Sequence, residues 1–528
     1  MTPLTPLRCL HRAVDLFGSK VGVVSGDKQF TYREFGERAE RLASGLRRLG
    51  VDKGDRVAYL SFNNNELLEG YYGVIQAGGI VMPLNVRLSA PELKAILQHA
   101  EPGVLVFEAD FAAVMQELKG SCPSIRKWVV IGEKGPEADL TYEELVASGQ
   151  AECADIYAVD ENSVAELFYT SGSTGNPKGV MLTHRSLYLH ALDGGLLFQD
   201  HGTMVDLHTI PLFHANGWGR PQISTMLGIK QVMVRRFDPA GVLELIARHK
   251  ATHMSLVPTM ANALLNSPAL PGADLSSLRQ VMLGGAAASP ELISRMEQAF
   301  GCECLCGYGM TETSPILTTS CRKGTVVYRD DGERYRRQAM AGWPVVGVTV
   351  RVVDSSMNDV PRDMKSMGEV VASGDHIMAG YYKEPEQTAA IMDGPWLHTG
   401  DMAVWDEEGY IHIVDRKKEI IISGGENISS IEVEKAIFAH PDVFECAVVA
   451  APDERWGEVP AAIVVTKPGT TLSQEALVAF VQERLGRFKA PKIVRFQQDP
   501  LPKTGTGKIR KNVLKNPFWA GKEKRVQG

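Results

Sequence analysis

Apolar positions in the first third of this 528-residue chain recur with two periods, one typical of helices and one typical of strands. Thr31-Tyr32-Arg33-Glu34 is a capping box, and the apolar positions after it keep helical spacing until Gly50. Short apolar strands and helices then alternate, with strands predicted at 57–61, 79–84 and 103–108 and helices at 67–76 and 91–100. This alternation predicts a largely parallel sheet covered by helices.

The same alternation resumes after residue 180. The pattern predicts helices at 184–197 and 242–249 and extended segments at 209–213, 253–257, 278–283 and 302–306. Two of these strands run directly into glycine turns, Gly284-Gly285-Ala286-Ala287 and Gly307-Tyr308-Gly309. Ligands bind at the carboxyl ends of strands in open α/β sheets, so these junctions are predicted to line a nucleotide site.

From Gly368 the pattern changes to short strands and turns. After the charged joint Asp415-Arg416-Lys417-Lys418-Glu419 it predicts a smaller unit, with helices at 430–438 and 473–485, strands at 446–450 and 461–465, and a lysine-bearing loop at 502–508. We therefore place a domain boundary beside Arg416. It divides the chain into residues 1–415 and 416–528.

The composition, with 44% apolar and 23% charged residues, is typical of a soluble enzyme. A formal net charge of -7 gives no reason to expect nucleic acid or an anionic membrane as a partner. The N-terminal segment lacks the apolar core of a signal peptide, no apolar run approaches the length of a membrane span, and Val-Gln-Gly at the C-terminus is no peroxisomal signal. We expect a cytoplasmic protein without a membrane span.

Eight cysteines in so long a chain do not indicate a disulfide framework. Cys302, Cys304 and Cys306 are spaced by two, which places them on one face of a strand, whereas zinc sites favour Cys-x-x-Cys pairs. We expect buried thiols on a strand rather than a metal site.

The segment Tyr-Thr-Ser-Gly-Ser-Thr-Gly-Asn-Pro-Lys-Gly-Val, from Tyr169 to Val180, carries the strongest chemical signal. Its glycines let backbone N–H groups face an anion, its hydroxyls can donate to phosphate oxygens, and Lys178 supplies positive charge. It is not a Walker A loop, because Pro177 stands where that pattern needs its second glycine. A bare glycine-rich turn is the alternative, but the dense hydroxyls beside Lys178 favour a loop that binds polyphosphate.

Nine segments of the chain resemble the motifs of the adenylate-forming superfamily, in the expected order and over almost the whole length. They are YTSGSTGNPKGV at 169, LTH ending at His184, PLFHANGW at 211, GGAA at 284, GYGMTET at 307, WLHTGD at 396, DRKKE at 415, SGGENISS at 423 and PKTGTGK at 502. The resemblance is to the acyl-CoA synthetase branch. It implies an α/β fold with a large N-terminal domain of helix-covered parallel sheets plus a distorted β-barrel, and a small, mobile α+β C-terminal domain.

The resemblance implies a two-step reaction that uses ATP, Mg²⁺ and coenzyme A. A carboxylate attacks the α-phosphorus of ATP to give an acyl-adenylate and pyrophosphate, and a thiol then displaces AMP. A carboxylate is a poor nucleophile towards a polyanion, so such a site needs cations and oriented donors more than a general base. We therefore expect an AMP-forming acyl-CoA ligase that acts on a small carboxylic acid.

The motifs that match assign the nucleotide contacts by resemblance. Lys178 and the loop bind the β- and γ-phosphates and the leaving pyrophosphate, and the loop residues are Thr170, Ser171, Gly172, Ser173, Thr174 and Gly175. Glu312 is the expected Mg²⁺ ligand with Thr174 nearby, since Mg²⁺ is usually held by one or two protein oxygens plus water. Thr311 is expected to donate to the α-phosphate.

Adenine and ribose contacts follow from three further motifs. The adenine is expected between Gly285, Ala286 and Ala287 on one side and Tyr308 on the other, with Gly307 and Gly309 beside it. Asp401 and Arg416 are expected to bind the ribose hydroxyls. For Asp401 alone, a turn aspartate would be the commoner role. Its place in Trp-Leu-His-Thr-Gly-Asp favours the ribose.

The small unit contributes a catalytic lysine and a pivot by the same resemblance. Lys508 is expected to reach the α-phosphate on domain closure and to offset the charge that develops in adenylation. A solvated lysine of a basic tail is its alternative. Lys418 aligns with the pivot of the family, with a charged surface residue as the alternative. The pantetheine tunnel is expected to be lined by Ser423, Gly424, Gly425 and Glu426. Ile422 replaces a lysine of some relatives, so luciferase-type oxidation is not expected.

Acid specificity is expected to depend on residues around the PLFHANGW motif, namely His214, Asn216, Gly217, Trp218 and also Gly284. His214 either contacts the carboxylate or packs as a bonded imidazole. Trp218 either gates a slot for an aliphatic tail or packs in the core. Because no charged residue stands in this stretch, an apolar acid is favoured, medium-chain or branched aliphatic ahead of aryl.

Other functions remain open at this stage. An adenylating enzyme for an aryl acid, or one that loads a carrier protein, would share the same motifs. A non-catalytic nucleotide-binding protein is the alternative from another class, although every expected catalytic position is filled. Homodimers are common in the family.

Overall fold

The computed structural model describes residues 2–170, 177–198, 203–424, 426–503 and 509–520, which group into two units. The first unit comprises Met1–Val350, Val371–His398 and Glu407–Ile411. The second comprises Arg351–Val370, Thr399–Asp406 and His412–Gly528. The boundary between residues 415 and 416 stays a prediction.

The strands are numbered in chain order. They are β1 (Val21–Ser25), β2 (Lys28–Thr31), β3 (Arg56–Leu60), β4 (Ile80–Pro83), β5 (Val104–Glu108), β6 (Lys127–Ile131), β7 (Leu140–Thr141), β8 (Val164–Thr170), β9 (Lys178–Thr183), β10 (Val205–His208), β11 (Lys230–Met233), β12 (His253–Leu256), β13 (Gln280–Leu283), β14 (Glu303–Gly309), β15 (Ile316–Thr319), β16 (Trp343–Pro344), β17 (Val348–Val353), β18 (Gly368–Gly374), β19 (Gly380–Tyr381), β20 (Met392–Asp393), β21 (Trp396–Trp405), β22 (Ile411–Arg416), β23 (Ile421–Ser423), β24 (Glu426–Ile428), β25 (Val443–Asp453), β26 (Gly457–Thr466) and β27 (Ile493–Gln497).

Two large sheets form the framework of the first unit. One has the order β16-β15-β14-β13-β12-β10-β11-β1-β2 and is parallel from β14 to β1. The other has the order β19-β9-β8-β4-β3-β5-β6-β7 and is parallel from β8 to β7. All five residues of β5 are buried, as expected for a strand covered on both faces. The predicted α/β class is confirmed.

Helices connect and cover these strands. They are Leu7–Phe17, Tyr32–Arg48, Asn65–Gln76, Ala90–Ala100, Ala112–Leu118, Tyr142–Ser148, His184–Gly195, Arg220–Met226, Pro239–His249, Pro258–Leu265, Pro290–Phe300, Asp331–Gln338, Pro385–Ala389, Ser430–Phe438, Gln474–Gln482 and Lys511–Trp519. The predicted capping box is present, since the backbone N–H of Glu34 donates to Thr31 Oγ1 and the Thr31 N–H donates to the Glu34 carboxylate at 2.7 Å. None of the helices in the described ranges is long and apolar enough to cross a membrane.

The extended segment predicted at 209–213 is wrong. The strand lies earlier, at Val205–His208, and the chain then turns. Asn63 explains the turn, because its side-chain amide donates to the carbonyl oxygens of His208 and Ile210 and its Oδ1 accepts from the Leu212 N–H at 2.8 Å. A side chain thus takes backbone groups that a strand would give to its neighbours.

Shorter sheets follow along the chain. One is a five-stranded sheet of order β17-β18-β21-β20, with β22 beside β21, and the predicted distorted β-barrel of the large domain stays a prediction. A second five-stranded sheet, β24-β23-β26-β25 with β27 beside β26, lies in the second unit and shares an apolar core with the helices Ser430–Phe438 and Gln474–Gln482. This is the α+β unit predicted from the C-terminal pattern.

Asp415, the first residue of the charged joint, links the joint to the beginning of the helix Ser430–Phe438 within the second unit. Its Oδ2 accepts from the Ser430 N–H at 2.6 Å, from the Ser430 hydroxyl at 2.7 Å and from the Ile431 N–H at 3.2 Å, and its Oδ1 accepts from the Arg416 N–H. The carboxylate is buried. It satisfies N–H groups at the beginning of the helix Ser430–Phe438, as an acidic cap does.

Candidate active site

Thr170 and Lys178 face each other at the carboxyl end of β8, where the predicted phosphate loop begins and ends. β8 and β9 are antiparallel, and Thr170 pairs with Lys178 in the register. The predicted phosphate contacts Ser171, Gly172, Ser173, Thr174 and Gly175 lie outside the described residues. The framework therefore places the lysine and the first threonine of the motif side by side.

Lys178 and Glu312 meet at one aromatic side chain, that of Tyr381. The Tyr381 hydroxyl donates to Glu312 Oε1 at 2.7 Å, and Lys178 Nζ lies 4.6 Å from the centre of the same ring. Tyr381 is placed there by β19, which pairs with β9 so that Tyr381 stands opposite Val180. The predicted phosphate lysine and the predicted metal ligand are thus neighbours of one buried tyrosine.

The turn after β14 fixes the position of Glu312. Gly309 has no room for a side chain, because a Cβ there would lie 1.8 Å from the carbonyl oxygen of Pro315. The Met310 N–H donates to that same oxygen, and the short 3₁₀ helix Thr311–Thr313 follows. Thr311 and Glu312 are both buried, and the Met378 N–H donates to the Glu312 carbonyl oxygen at 2.9 Å. Backbone contacts on two sides therefore hold the carboxylate in place.

Glu312 fits the ligand set that Mg²⁺ requires. Its bond to Tyr381 uses one carboxylate oxygen, which leaves the second for a cation, and hard cations prefer oxygen ligands. No cluster of three or more metal-ligating side chains occurs among the residues that the structure describes.

The two glycine junctions predicted for adenine are adjacent. β13 and β14 are parallel with Leu283 opposite Cys306, and a Cβ on Gly284 would lie 3.1 Å from the Gly307 carbonyl oxygen. Gly284 is buried, Tyr308 is half-buried, and the predicted adenine contacts Gly285, Ala286 and Ala287 are exposed. The register therefore brings Gly284 to Ala287 beside Gly307 to Gly309 at one sheet edge.

The thiols that precede this edge are inert core groups. Cys302, Cys304 and Cys306 are buried, and burial raises the pKa of the Cys306 thiol to about 12. The expectation of buried thiols on a strand is confirmed for Cys304 and Cys306, whereas Cys302 lies just before β14.

The PLFHANGW motif ends in a left-handed turn. Ala215 and Asn216 both have a φ of 44°, Trp218 has 61°, and the glycines at 217 and 219 are also positive. Such a conformation costs roughly 1–2 kcal/mol for each non-glycine residue. Half-buried His214 stands immediately before it. A turn of this kind persists only where its surroundings hold it.

Trp218 lies against the first glycine junction. A Cβ on Gly284 would be 3.0 Å from the outer edge of the indole, and one on Gly285 would be 3.5 Å from it and 3.2 Å from Val257. Gly307 is bordered in the same way by Met282 and Ile316. The glycines of both junctions are therefore bordered by apolar side chains, and the assignment of residues 216–218 to the acid pocket stays a prediction.

A buried carboxylate stands behind the turn. Glu166 on β8 accepts a hydrogen bond from Asn216 Nδ2 at 3.3 Å and another from Gln222 Nε2 at 2.7 Å. Burial outweighs these bonds and raises the pKa of Glu166 to about 8. A second buried pair, Asp206 with Arg220, lies one turn further along, with N···O distances of 2.6 and 2.9 Å.

Within the second unit, Asp401 and Arg416, the two residues predicted to bind the ribose, form an ion pair. Asp401 on β21 is buried, Arg416 on the neighbouring β22 is about half exposed, and Arg416 Nε lies 2.7 Å from Asp401 Oδ1. The guanidinium also donates to the Thr399 carbonyl oxygen. Next to it, Lys417 pairs with Glu369 at 3.0 Å.

Ser423, Gly424 and Glu426, predicted to line the pantetheine tunnel, lie at the end of the β23–β24 hairpin. β23 and β24 pair so that Ser423 stands opposite Glu426, and Gly424, with a φ of 60°, packs under Trp456. Lys418 is exposed in the 3₁₀ turn that follows Arg416. Gly425 and Lys508 lie outside the described residues.

Two residues of this site were missed in the sequence. Tyr381 reaches Glu312 across 69 residues of chain and carries no motif of its own. Glu166 lies inside an otherwise apolar strand pattern, where a single acidic residue was the only signal. A charged residue at a core position of a strand is rarely buried without partners, so the pattern could have indicated a buried, hydrogen-bonded carboxylate at Glu166 but not which residues bond to it.

Two family models match the chain. The model described as AMP-binding enzyme matches residues 10–382, and the model described as AMP-binding enzyme C-terminal domain matches residues 432–508.

Relatives extend over nearly the whole chain. A long-chain-fatty-acid–CoA ligase of Thermus thermophilus is 39% identical, covering 96% of this chain and 94% of its own. A feruloyl-CoA synthase of Amycolatopsis sp is 38% identical, covering 93% and 95%. Among solved structures, ATP-bound MatB from Rhodopseudomonas palustris has a TM-score of 0.83 at 28% identity, covering 97% of this chain and 99% of that one.

Proposed function

Since the chain belongs to the AMP-binding enzyme family and is an AMP-forming acid–thiol ligase, we propose that its acid is a medium-chain or branched aliphatic carboxylic acid. In the first step a carboxylate oxygen bonds to the α-phosphorus of ATP as pyrophosphate leaves. In the second, the sulfur of coenzyme A bonds to the acyl carbon, the thiol loses its proton, and AMP leaves with the carboxylate oxygen.

One observation carries the choice of acid. Apolar side chains border the glycines of the two junctions: Trp218 lies beside Gly284 and Gly285, Val257 beside Gly285, and Met282 and Ile316 beside Gly307. An aliphatic tail gains about 0.8 kcal/mol for each methylene that such a surface removes from water. A charged acid or an amino acid would have to leave its polar group unpaired there, which opposes binding.

The remaining roles are part of the same proposal. Lys178 and the loop bind the β- and γ-phosphates, and Thr311 donates to the α-phosphate. Glu312 holds Mg²⁺ with Thr174; the ion, when bound, neutralises phosphate charge. Asp401 and Arg416 bind the ribose hydroxyls, and Lys508 stabilises the charge that develops in adenylation.

An aryl acid is the second candidate. The feruloyl-CoA synthase of Amycolatopsis sp is nearly as similar to this chain as the fatty-acid ligase is. A planar ring could also lie along the indole of Trp218, because aromatic pairs gain from stacked or edge contacts.

The deciding experiment is a pyrophosphate-release assay over acids from acetate to palmitate, with benzoate and cinnamate, each with and without coenzyme A. We expect the highest kcat/KM with medium-chain or branched acids, and AMP release that depends on coenzyme A. A preference for benzoate or cinnamate would establish the aryl candidate instead. Stalling at the adenylate in the presence of coenzyme A would indicate a carrier protein as acceptor.

A further inference from the structure

We propose that Glu166 is a positioning residue for acid selection, because through Asn216 it holds the left-handed turn that sets Trp218 against Gly284. The inference rests on the proposed function, since it concerns how that site chooses its acid. Glu166 itself lies behind the turn and has no contact with the glycine junctions in the described structure.

The first step of the argument concerns what the turn needs. Ala215, Asn216 and Trp218 adopt positive φ values without being glycines. L-residues in that region crowd Cβ against the following carbonyl oxygen, so isolated peptides leave it. The turn must therefore be held from outside by specific contacts.

The side chain of Asn216 supplies that hold. Its Oδ1 accepts from the Gly219 N–H at 2.6 Å, which closes the turn, and its Nδ2 donates to Glu166 Oε2. Asparagine occupies the left-handed region more readily than most residues because its short amide can bond locally. The amide is fully buried, so without Glu166 its N–H group would lose its acceptor in a place without water.

Close packing restricts how far the turn can move. A Cβ on Gly219 would lie 2.2 Å from the ring of His190, and one on Gly217 would lie 2.9 Å from Leu212. The turn therefore cannot shift towards either side chain. When the hydrogen bond to Glu166 is lost, the turn can relax only by changing its backbone conformation. That change moves Trp218.

Trp218 converts that movement into acid selection. Its indole sits 3.0 Å from where a Cβ on Gly284 would be, at the edge that borders the proposed acyl space. A displaced indole changes the surroundings of Gly284, whereas Lys178 on β9 and Glu312 in the 3₁₀ helix Thr311–Thr313 are positioned beside Tyr381. Selectivity among acids should therefore change more than ATP binding does.

Three variants of one network separate positioning from mere stability. Glu166→Leu keeps the approximate volume and removes both acceptors. Glu166→Gln keeps one acceptor for Asn216, and its new N–H group can donate to Gln222 Oε1, which is buried without a partner in the described structure. Gln222→Leu is the matched control, because it removes the 2.7 Å bond to the same carboxylate but leaves Asn216 bonded.

The measurement is kcat and KM for butanoate, octanoate and dodecanoate, with KM for ATP. In Glu166→Leu we expect the KM of the preferred acid to rise about tenfold, which corresponds to the loss of one buried hydrogen bond. We also expect the kcat/KM values of the three acids to become more similar. Glu166→Gln and Gln222→Leu should stay within about threefold of the wild type, and in Glu166→Leu the KM for ATP should change less than the KM for the acid.

Asn216→Gly provides the second test if Glu166→Leu does not fold, since glycine accepts a φ of 44°. It should show the same flattened acid preference, and in the double variant the two effects should not add. An unchanged acid preference in these variants would overturn the inference.

Failure of the proposed function is recognised separately, because the wild type would then prefer benzoate or cinnamate to the aliphatic acids. Tryptophan emission still tests the turn in that case. The contribution of Trp218 is the difference between the emission spectra measured with and without Trp218→Phe. The wavelength of that contribution should shift in Glu166→Leu and not in Gln222→Leu. An unshifted emission would overturn the inference.

Discussion

The hydroxyl of Tyr381 donates a hydrogen bond to the carboxylate of Glu312 at 2.7 Å, while the face of its ring meets the ammonium group of Lys178. One tyrosine therefore adjoins both the proposed metal ligand and the proposed phosphate lysine. Substitutions can remove the hydroxyl group of Tyr381 without removing its ring, so the two contacts can be tested separately.

Tyr381→Phe should raise the Mg²⁺ concentration needed for half-maximal adenylation. The variant keeps the ring beside Lys178 and takes away the donor that orients Glu312, and loss of such a supporting bond lowers metal affinity about 10- to 100-fold. KM for the acid should not change. A Mg²⁺ titration of pyrophosphate release measures the effect.

Tyr382→Phe is the control for this prediction, since the Tyr382 ring packs on His99 instead. A Mg²⁺ titration that is the same for Tyr381→Phe and the wild type would exclude the supporting role.

Asp401→Asn should raise KM for ATP about tenfold and leave KM for the acid unchanged. The substitution removes the charge that pairs with Arg416 at 2.7 Å and one acceptor for a ribose hydroxyl, and hydrogen bonds to charged groups contribute about 1.5–3 kcal/mol. Steady-state kinetics with ATP and with 2′-deoxy-ATP measure it, because the deoxy analogue should lose less in the variant.

The control for the ribose prediction is Glu369→Gln. Glu369 pairs with Lys417 in the same unit and is not assigned to the nucleotide. If both variants alter KM for ATP equally, the effect comes from the stability of this region and not from the ribose.

Lys508→Ala should lower the rate of adenylation roughly 10²–10³-fold, as the removal of one group that stabilises developing charge does. Thioester formation from supplied acyl-AMP should remain largely intact, because the second step does not need that charge at the same place. The two half-reactions are measured separately by pyrophosphate release and by thioester formation. Lys503→Ala, which removes a lysine that pairs with Glu445, is the control. Equal loss of both half-reactions would contradict the assignment.

Glu166→Gln should make stability less dependent on pH. In the folded protein the pKa of Glu166 is raised to about 8 by burial, against about 4.3 in an unfolded chain. Between these values the folded state holds a proton that the unfolded state has lost, so this group lowers the free energy of unfolding by about 1.4 kcal/mol for each pH unit of increase. The contribution is complete below the lower value and is lost as the pH rises through the upper one.

Urea denaturation at about pH 5 and about pH 8 tests this prediction, because the interval contains most of the titration. The wild type should lose more stability than Glu166→Gln over that interval. Parallel losses in the two proteins would show that Glu166 is already ionised in the folded state.

The strand and helix order was predictable because it depends on periodicity. Buried strands such as Val104–Glu108 and the capped helix Tyr32–Arg48 follow local rules that the sequence displays directly. The segment 209–213 was mispredicted because Asn63, far away in the chain, takes its backbone groups. Local patterns contain no information about such a partner.

The same distinction applies to the site. Lys178, Glu312 and Asp401 could be assigned because each lies in a motif with its own residue types. Tyr381 and Glu166 could not, since their roles arise from pairs that only the folded chain brings together. The sequence shows that a strand position carries a carboxylate, but it does not show which groups bond to that carboxylate. Those partners determine its role.

Hydrogen bonds to the carboxylate of Asp415 hold both ends of the segment 416–429, which contains most of the charged joint. The segment from Arg416 to Ser429 leaves Asp415 and returns to it, because Ser430 and Ile431 donate to the same oxygen. Lys418, the proposed pivot, lies inside that segment. A rotation at Lys418 that carried the helix Ser430–Phe438 away from Asp415 would break all these hydrogen bonds at once. The segment would therefore have two discrete states, bonded and released, and would not act as a flexible linker.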